Sequence, residues 1–349
     1  MAVFRRSLMV TSLALFALSA RADNAQSTPV VAPDSPQASS AKPEKATEAP
    51  RENRLFPVKD DVIGSMQSMT TRYEDTFADI GTRTSIGYLE LVHANPGIDP
   101  WLPGDGTRIT LPQQHVLPDS PREGIVVNLA EFRLYYYKDG GVKTYPVGVG
   151  SEQNPSPLTK SKVTMRLESP AWYPPKSVRE EYEASGTPLP RVIPPGPENP
   201  LGNYALKLSA EGYLIHGTNK KFGIGMQVSH GCIRMYNNDI KELVFDVPKG
   251  TPVAFVDQPV KVGLNGNEVW LEVHRPKEDL DAQTKDRLWK AVMARMDTLM
   301  DSNPGLEFQR AAVENAIDQA DGIPRLVGER TRQVAKASVE SGRKERVSH

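Results

Sequence analysis

Between residues 121 and 258 the apolar residues fall in short runs separated by turn residues, and no other feature restricts the fold as much. Ile125-Val126-Val127 is one such run. Phe132, Leu134 and Tyr136 alternate with Arg133, Tyr135 and Tyr137, the period-two pattern of a strand. Asp139-Gly140-Gly141 then supplies a turn and Val142–Val149 runs back, which predicts a β-hairpin. Further strands are expected at Ala205–Leu208, Tyr213–His216, Pro252–Val256 and Val269–Val273. Such a series of short strands fits a mainly β chain whose central domain, residues 121–258, is a β-sandwich. One stretch inside it breaks the pattern. Residues 170–200 carry nine prolines, and proline cannot donate to a sheet ladder. This stretch reads either as a lid beside a cleft or as a packed surface loop.

The flanks have different compositions. Arg5 and Arg6, the apolar run Leu8–Leu18 and the small-x-small triplet Ala20-Arg21-Ala22 read as a secretory signal over residues 1–22, with the mature chain beginning near Asp23. An uncleaved anchor is the alternative, although the run is short of the ~20 apolar residues that a bilayer span needs. Residues 23–54, rich in Ala, Pro, Ser and charge, are expected to form a flexible linker. Residues 66–114 predict a small α+β module: a brief strand, a helix near Thr76–Ile80, a second helix around Tyr88–Val92 stopped by Asn95-Pro96-Gly97, and a closing strand Thr107–Pro112 after Gly104-Asp105-Gly106. Leu288, Val292, Met296 and Leu299, then Leu306, Val313 and Ile317, recur at helical spacing and predict a helical C-terminal extension over 275–327, with Gly322 as a stop. Residues 328–349 read as a disordered charged tail. The formal net charge of −1 argues against a general polyanion binder, and nothing marks a nucleic-acid partner.

An exported chain meets an oxidising compartment, where cysteines usually pair. This chain has one cysteine, Cys232. A lone thiol there is either a small buried hydrophobe or a reactive group. Its surroundings favour the second. His216 lies 16 residues upstream at the end of an expected strand, and Ser229-His230-Gly231-Cys232-Ile233-Arg234 follows a glycine-bearing loop. Thiol-based acyl transfer needs a base for the thiol proton and donors for the oxyanion. Cys232 is the candidate nucleophile and His216 the candidate base. The amides of Gly231 and Cys232 are the candidate oxyanion hole, since Gly231 permits unusual backbone geometry. His230 is the second-choice base. His216, His230 and Cys232 also supply three ligands toward a zinc site, but no acidic or second cysteine partner stands at a familiar spacing.

The histidine, the gap and Ser229-His230-Gly231-Cys232 with Arg234 resemble the signature of the YkuD-type L,D-transpeptidases. His216-Gly217-Thr218-Asn219, Phe222-Gly223-Ile224-Gly225 and the preceding module resemble the ErfK/YbiS/YcfS/YnhG group of Gram-negative envelope enzymes. The module itself resembles LysM, which binds peptidoglycan glycan, although its usual Gly-Asp-Thr-Leu opening stands here as Glu74-Asp75-Thr76-Phe77. The resemblance implies a β-sandwich catalytic domain in the periplasm, with no metal and no cofactor. It implies a peptidoglycan tetrapeptide as acyl donor, D-alanine as leaving group and a Cys232 thioester resolved by an amine. A lysine of an outer-membrane lipoprotein is the expected acceptor. A second diaminopimelate, giving a direct 3-3 crosslink, or water, giving a carboxypeptidase, are the alternatives. On the same resemblance the Gly217 carbonyl orients His216, and Ser229, His230 and Arg234 shape the substrate site, with Arg234 facing a substrate carboxylate. The Thr-Pro-x-Gly stretch of many relatives is replaced by Asn154-Pro155-Ser156-Pro157, which implies a different groove. A non-catalytic wall-binding protein acting through the LysM-like module is the reading from another class.

Overall fold

The hairpin expected at Asp139-Gly140 forms with a two-residue loop: Lys138 pairs with Gly141, and both loop residues have positive φ, 49° and 71°. That is the turn whose twist matches the flanking strands. The computed structural model describes residues 55–276 and 279–331. The signal at 1–22, the linker at 23–54 and most of the 328–349 tail lie outside the described residues.

The hairpin belongs to a nine-stranded sheet. Its first half runs Phe56–Pro57, Gly141–Pro146, Arg133–Lys138, Gly124–Asn128, Pro252–Val256 and Lys160–Glu168. Its second half continues through Tyr204–Leu208, Leu214–His216 and Ile233–Arg234. Lys160–Lys162 pair with Pro252–Ala254, whereas the residues from Val163 onward pair with Tyr204–Leu208, with a register shift between Val163 and Met165. A bulge of this kind lets one strand pass from layer to layer. The two halves face each other across one core. Ile125, Val127, Leu134, Tyr145 and Val253 come from one side, and Leu206, Leu208, Ile215 and Ile233 from the other. Ile240, Leu243 and Val244 of the helix Asn237–Asp246 close it. Full burial of each such side chain is worth ~1.5–3 kcal/mol.

Strand alternation explains why Ile125-Val126-Val127 is apolar without a break. Ile125 and Val127 enter this core, while Val126 joins Phe56, Ile63, Leu117, Tyr135 and Tyr137 in a second core on the outer face. The Gly124–Asn128 and Pro252–Val256 strands are parallel neighbours, and parallel strands are commonly covered on both faces.

Residues 66–114 fold in the order strand, helix, helix, strand. Gln67–Thr70 pairs antiparallel with Arg108–Leu111, and the helices Phe77–Thr84 and Tyr88–Ala94 bury Phe77, Ile80 and Leu91 against Ile109 and Leu111. Thr76 caps the first helix by accepting the Asp79 N–H at 3.2 Å. Asn95 joins the second helix to the closing strand. Its amide donates to the Leu91 and Thr110 carbonyls, and its oxygen accepts the Thr110 N–H at 2.7 Å.

This module is seated on the nine-stranded sheet and its neighbouring helix and loop. Glu90 accepts from the fully buried Arg133, with Nε at 3.0 Å. Ser85 donates to Asp239 at 2.6 Å, and the Tyr88 N–H donates to the Ile224 carbonyl at 3.0 Å. At that contact Gly87 and Gly225 meet backbone to backbone. A Cβ on Gly225 would come within 2.5 Å of the Gly87 Cα, and one on Gly87 within 2.9 Å of the Gly225 Cα.

The C-terminal region departs from the expected helical extension. Val269–Val273 does not continue the sandwich. It lies in a separate four-stranded sheet ordered Val260–Asn265, Glu268–Val273, Arg325–Arg330, Leu306–Phe308. Helices Ala282–Ser302 and Arg310–Gln319 cover that sheet, burying Val292, Met296, Val313 and Ile317 against Leu271 and Val327. Leu306 is therefore a strand residue whose spacing coincides with a helical one. The second helix stops at Ala320, whose φ of 41° gives it the left-handed cap expected of Gly322. The tail assigned from 328 begins inside a strand, because Gly328 pairs with Val269 and Phe308. Lys261, Glu131 and Glu272 form a fully buried charge cluster where this sheet meets the sandwich, with His274 2.6 Å from Glu272.

Candidate active site

His216 ends the strand Leu214–His216, with Ala205 opposite it on one side and Arg234 opposite it on the other. Cys232 immediately precedes the strand Ile233–Arg234. Since Ile215 pairs with Ile233, His216 and Cys232 are diagonal neighbours on adjacent strands.

The imidazole of His216 is buried, and its Nδ1 sits 2.7 Å from the Gly217 carbonyl oxygen. A carbonyl only accepts, so Nδ1 carries the hydrogen and the neutral ring keeps its lone pair on Nε2. This is the contact through which Gly217 is expected to orient the ring. Burial lowers the His216 pKa to about 4; the nearby Arg234 charge adds to the effect, and the Gly217 and Leu201 backbone carbonyls oppose it. Burial also pushes the Cys232 thiol above its ordinary value, against the Leu214 backbone hydrogen bond and the Arg234 charge. The thiol donates to the Gly212 carbonyl at 3.7 Å. Burial thus works against both the thiolate and the imidazolium.

The backbone around the nucleophile is held from two sides. Gly148 bridges Arg234 through two 2.9 Å hydrogen bonds, while Val149 and Gly150 pair in parallel with Gln227 and Ser229. Gly231 has φ of 102°, a conformation open in practice only to glycine. Its N–H donates to Ser229 Oγ at 3.2 Å, and Ser229 Oγ donates in turn to the Cys232 carbonyl at 2.6 Å. The Gly231 amide is thus engaged by Ser229, and the buried Ser229 hydroxyl is itself committed to the Cys232 carbonyl.

His230, the second-choice base, turns away from this pair. Its Nε2 lies 3.0 Å from Glu181, which belongs to the helix Lys176–Ala184 inside the proline-rich stretch. That stretch is not structureless: besides the helix it contains a bridge between Trp172 and Ile193. The guanidinium of Arg234 is half-buried near Cys232, and among the described residues no carboxylate lies within ion-pair distance of it.

Sequence reasoning passed over Asn237. At the head of its helix it accepts the Thr218 N–H at 3.1 Å and donates to the Thr218 carbonyl at 2.7 Å, which fixes the backbone just after Gly217. Its position directly after the Met235-Tyr236 pair that ends the motif was the available signal. Two grooves flank the motif. One of about 570 Å³ passes Asn199, Thr218 and Asn237, and one of about 670 Å³ passes Ser156, Leu158 and Val228.

Residues 122–255 match the YkuD family, the L,D-transpeptidase catalytic domain. The chain is 38% identical over 280 residues to the probable L,D-transpeptidase YcfS of Escherichia coli (strain K12), covering 78% of this chain and 83% of that one. The chain belongs to the L,D-transpeptidase family. It is also 40% identical over 244 residues to the probable L,D-transpeptidase YbiS of the same strain, 68% of this chain and 79% of that one. The solved catalytic domain of an E. faecium L,D-transpeptidase aligns over 40% of this chain and 99% of its own, at 25% identity and a TM-score of 0.31. This L,D-transpeptidase is accordingly an enzyme of the transferase type that acts on peptidoglycan.

Proposed function

We propose that the enzyme works in the periplasm, taking the acyl group of a peptidoglycan tetrapeptide stem onto Cys232 and passing it to a lysine amine of an outer-membrane lipoprotein. The observation that carries the chemistry is the buried His216 ring, its Nδ1 held on the Gly217 carbonyl, on the strand beside the one that Cys232 precedes. Nε2 takes the thiol proton as Sγ attacks the carbonyl of the L-centre of diaminopimelate. The carbonyl becomes an oxyanion facing the Cys232 N–H. On collapse the C–N bond breaks, His216 returns the proton to the departing D-alanine amine, and a thioester remains. The acceptor amine then attacks the thioester, His216 takes its proton, and the thiolate leaves and is reprotonated. Arg234, lacking a carboxylate partner among the described residues, suits the terminal carboxylate of the donor stem.

The resemblance to the ErfK/YbiS group supports lysine as the acceptor, and the LysM-like order of the 66–114 module supports glycan contact. Export rests on the N-terminal signal pattern; among the described residues no helix is long and apolar enough to cross a membrane.

A carbapenem tests the acyl-enzyme step, since its strained lactam is an amide that a competent nucleophile opens. Intact-mass analysis is expected to show one adduct, lost in Cys232→Ala; no adduct on the folded protein would defeat the enzyme mechanism. Muropeptide analysis of sacculi from a deletion strain tests the acceptor. Loss of lipoprotein-linked stems is expected, whereas loss of direct crosslinks alone would replace lysine with diaminopimelate.

A further inference from the structure

The segment Asn154-Pro155-Ser156-Pro157, which departs from the sequence pattern of many relatives, lies directly against the nucleophile loop. Ser156 is buried, and its Oγ makes two hydrogen bonds. It accepts the Gly150 N–H at 2.9 Å and donates to the Gly231 carbonyl at 2.8 Å. Beside the Tyr213 ring, the backbone carbonyls of Asn154 and Pro155 are the close neighbours of Gly231. A Cβ built there would lie 3.7 and 3.5 Å from them.

The polar groups of the Gly231–Cys232 backbone can be followed one by one. The Gly231 N–H goes to Ser229, the Gly231 carbonyl takes Ser156, and the Cys232 carbonyl takes Ser229. Among the described residues the Cys232 N–H has no hydrogen-bond acceptor. It shares one peptide plane with the Gly231 carbonyl, and in a trans peptide the C=O and N–H of that plane point in opposite directions. Fixing the carbonyl on one side therefore aims the N–H to the other. Gly231 cannot do this alone, because a glycine at φ of 102° has wide freedom to rotate. Gly150 anchors the hydroxyl from its other side, and Gly150 is itself paired with Ser229 in the short parallel ladder.

We propose that Ser156 is a positioning residue for acyl transfer: by holding the Gly231 carbonyl it pre-aims the Cys232 amide at the oxyanion. This rests on the thioester mechanism above. Ser156 itself touches neither thiol nor imidazole in the hydrogen-bond network. Its effect is therefore confined to reactions that build an oxyanion.

Two rates on the same protein test this. Acylation by a carbapenem passes through a tetrahedral oxyanion; alkylation by iodoacetamide is a displacement at carbon and does not. Ser156→Ala is expected to slow acylation about 10–100-fold, less than the ~10²–10³ lost when an oxyanion donor is deleted outright, with alkylation unchanged. Ser156→Thr and Ser156→Val form an isosteric pair differing in the hydroxyl, and serve if the alanine variant folds poorly. The threonine variant is expected to acylate much faster than the valine variant. Wild-type acylation in Ser156→Ala, equal rates in the Thr and Val variants, or a parallel fall in acylation and alkylation would each overturn the proposal. If the wild-type protein itself forms no adduct, the thioester mechanism fails and takes this inference with it. If the wild type acylates and the variants match it, only the role of Ser156 is lost.

Discussion

Alkylation of Cys232 as a function of pH separates a neutral resting pair from an ion pair. The structure places the thiol above its ordinary pKa of ~8.5–9 and the imidazole at about 4. At pH 7 the thiol is then mostly protonated, and the imidazole is protonated in only ~0.1% of molecules. Iodoacetamide reacts with the thiolate, so its rate is expected to rise about tenfold per pH unit from 6 to 8. Enzyme-promoted acylation behaves differently. It draws on neutral thiol and neutral imidazole, both almost fully populated over this range. Its acid limb is expected near pH 4, with a plateau from about 5 to 8. Intact-mass time courses with iodoacetamide and a carbapenem measure both rates on one preparation. An alkylation rate that is flat between pH 5 and 8 would mean a preformed thiolate–imidazolium pair. It would refute the reasoning from burial.

The same His216 shift has a stability consequence. Its folded pKa of about 4 lies below the ~6.5 of an unfolded imidazole, so it contributes stability above pH 6.5 that is lost as the pH falls toward 4, in all ~3 kcal/mol. Urea midpoints of wild type and His216→Gln at pH 7 and 4.5 check this; equal acid losses in both proteins would contradict it. Glu90→Ala removes one carboxylate partner of the fully buried Arg133 and is expected to cost up to ~3–5 kcal/mol. Asp79→Ala, at the exposed pair with Lys221, is expected to cost less than ~1 kcal/mol. Thermal unfolding that ranks the two equally would refute the assignment of Glu90 as a buried tie. Asn237→Ala frees both Thr218 backbone groups and is expected to lower kcat/KM about tenfold, with Asn237→Asp, which keeps only the acceptor, in between. Unchanged kinetics in the alanine variant would remove Asn237 from the positioning set.

The sandwich strands and the segment of the candidate site were legible because their determinants are local or short-range in sequence. Asp139-Gly140 dictates a turn by its backbone preferences, and the residues from His216 to Arg234 carry the candidate base, the candidate nucleophile and the joining loop in one segment. The C-terminal sheet was missed because Leu306 falls at a spacing shared by helix and strand, and because Glu268–Val273 finds its partner strand more than fifty residues later. The partner of the Gly231 amide was hidden for a related reason. Spacing places that amide beside the nucleophile but cannot say that Ser229, two residues back, already accepts its hydrogen. Ser156 stood out only as a departure from a pattern. Its 75-residue separation from Gly231 hid the hydrogen bond between them.

The meeting of Gly87 and Gly225 bears on how this chain can change over generations. Each excludes a side chain at the other by backbone contact alone, so no compensating substitution at one position makes room at the other. A library randomised at both sites is expected to return the parental pair, although neither residue takes part in the chemistry. Swapping in a foreign N-terminal module would meet the same obstacle unless the 222–225 loop travelled with it. In heredity the module and the loop behave as one unit.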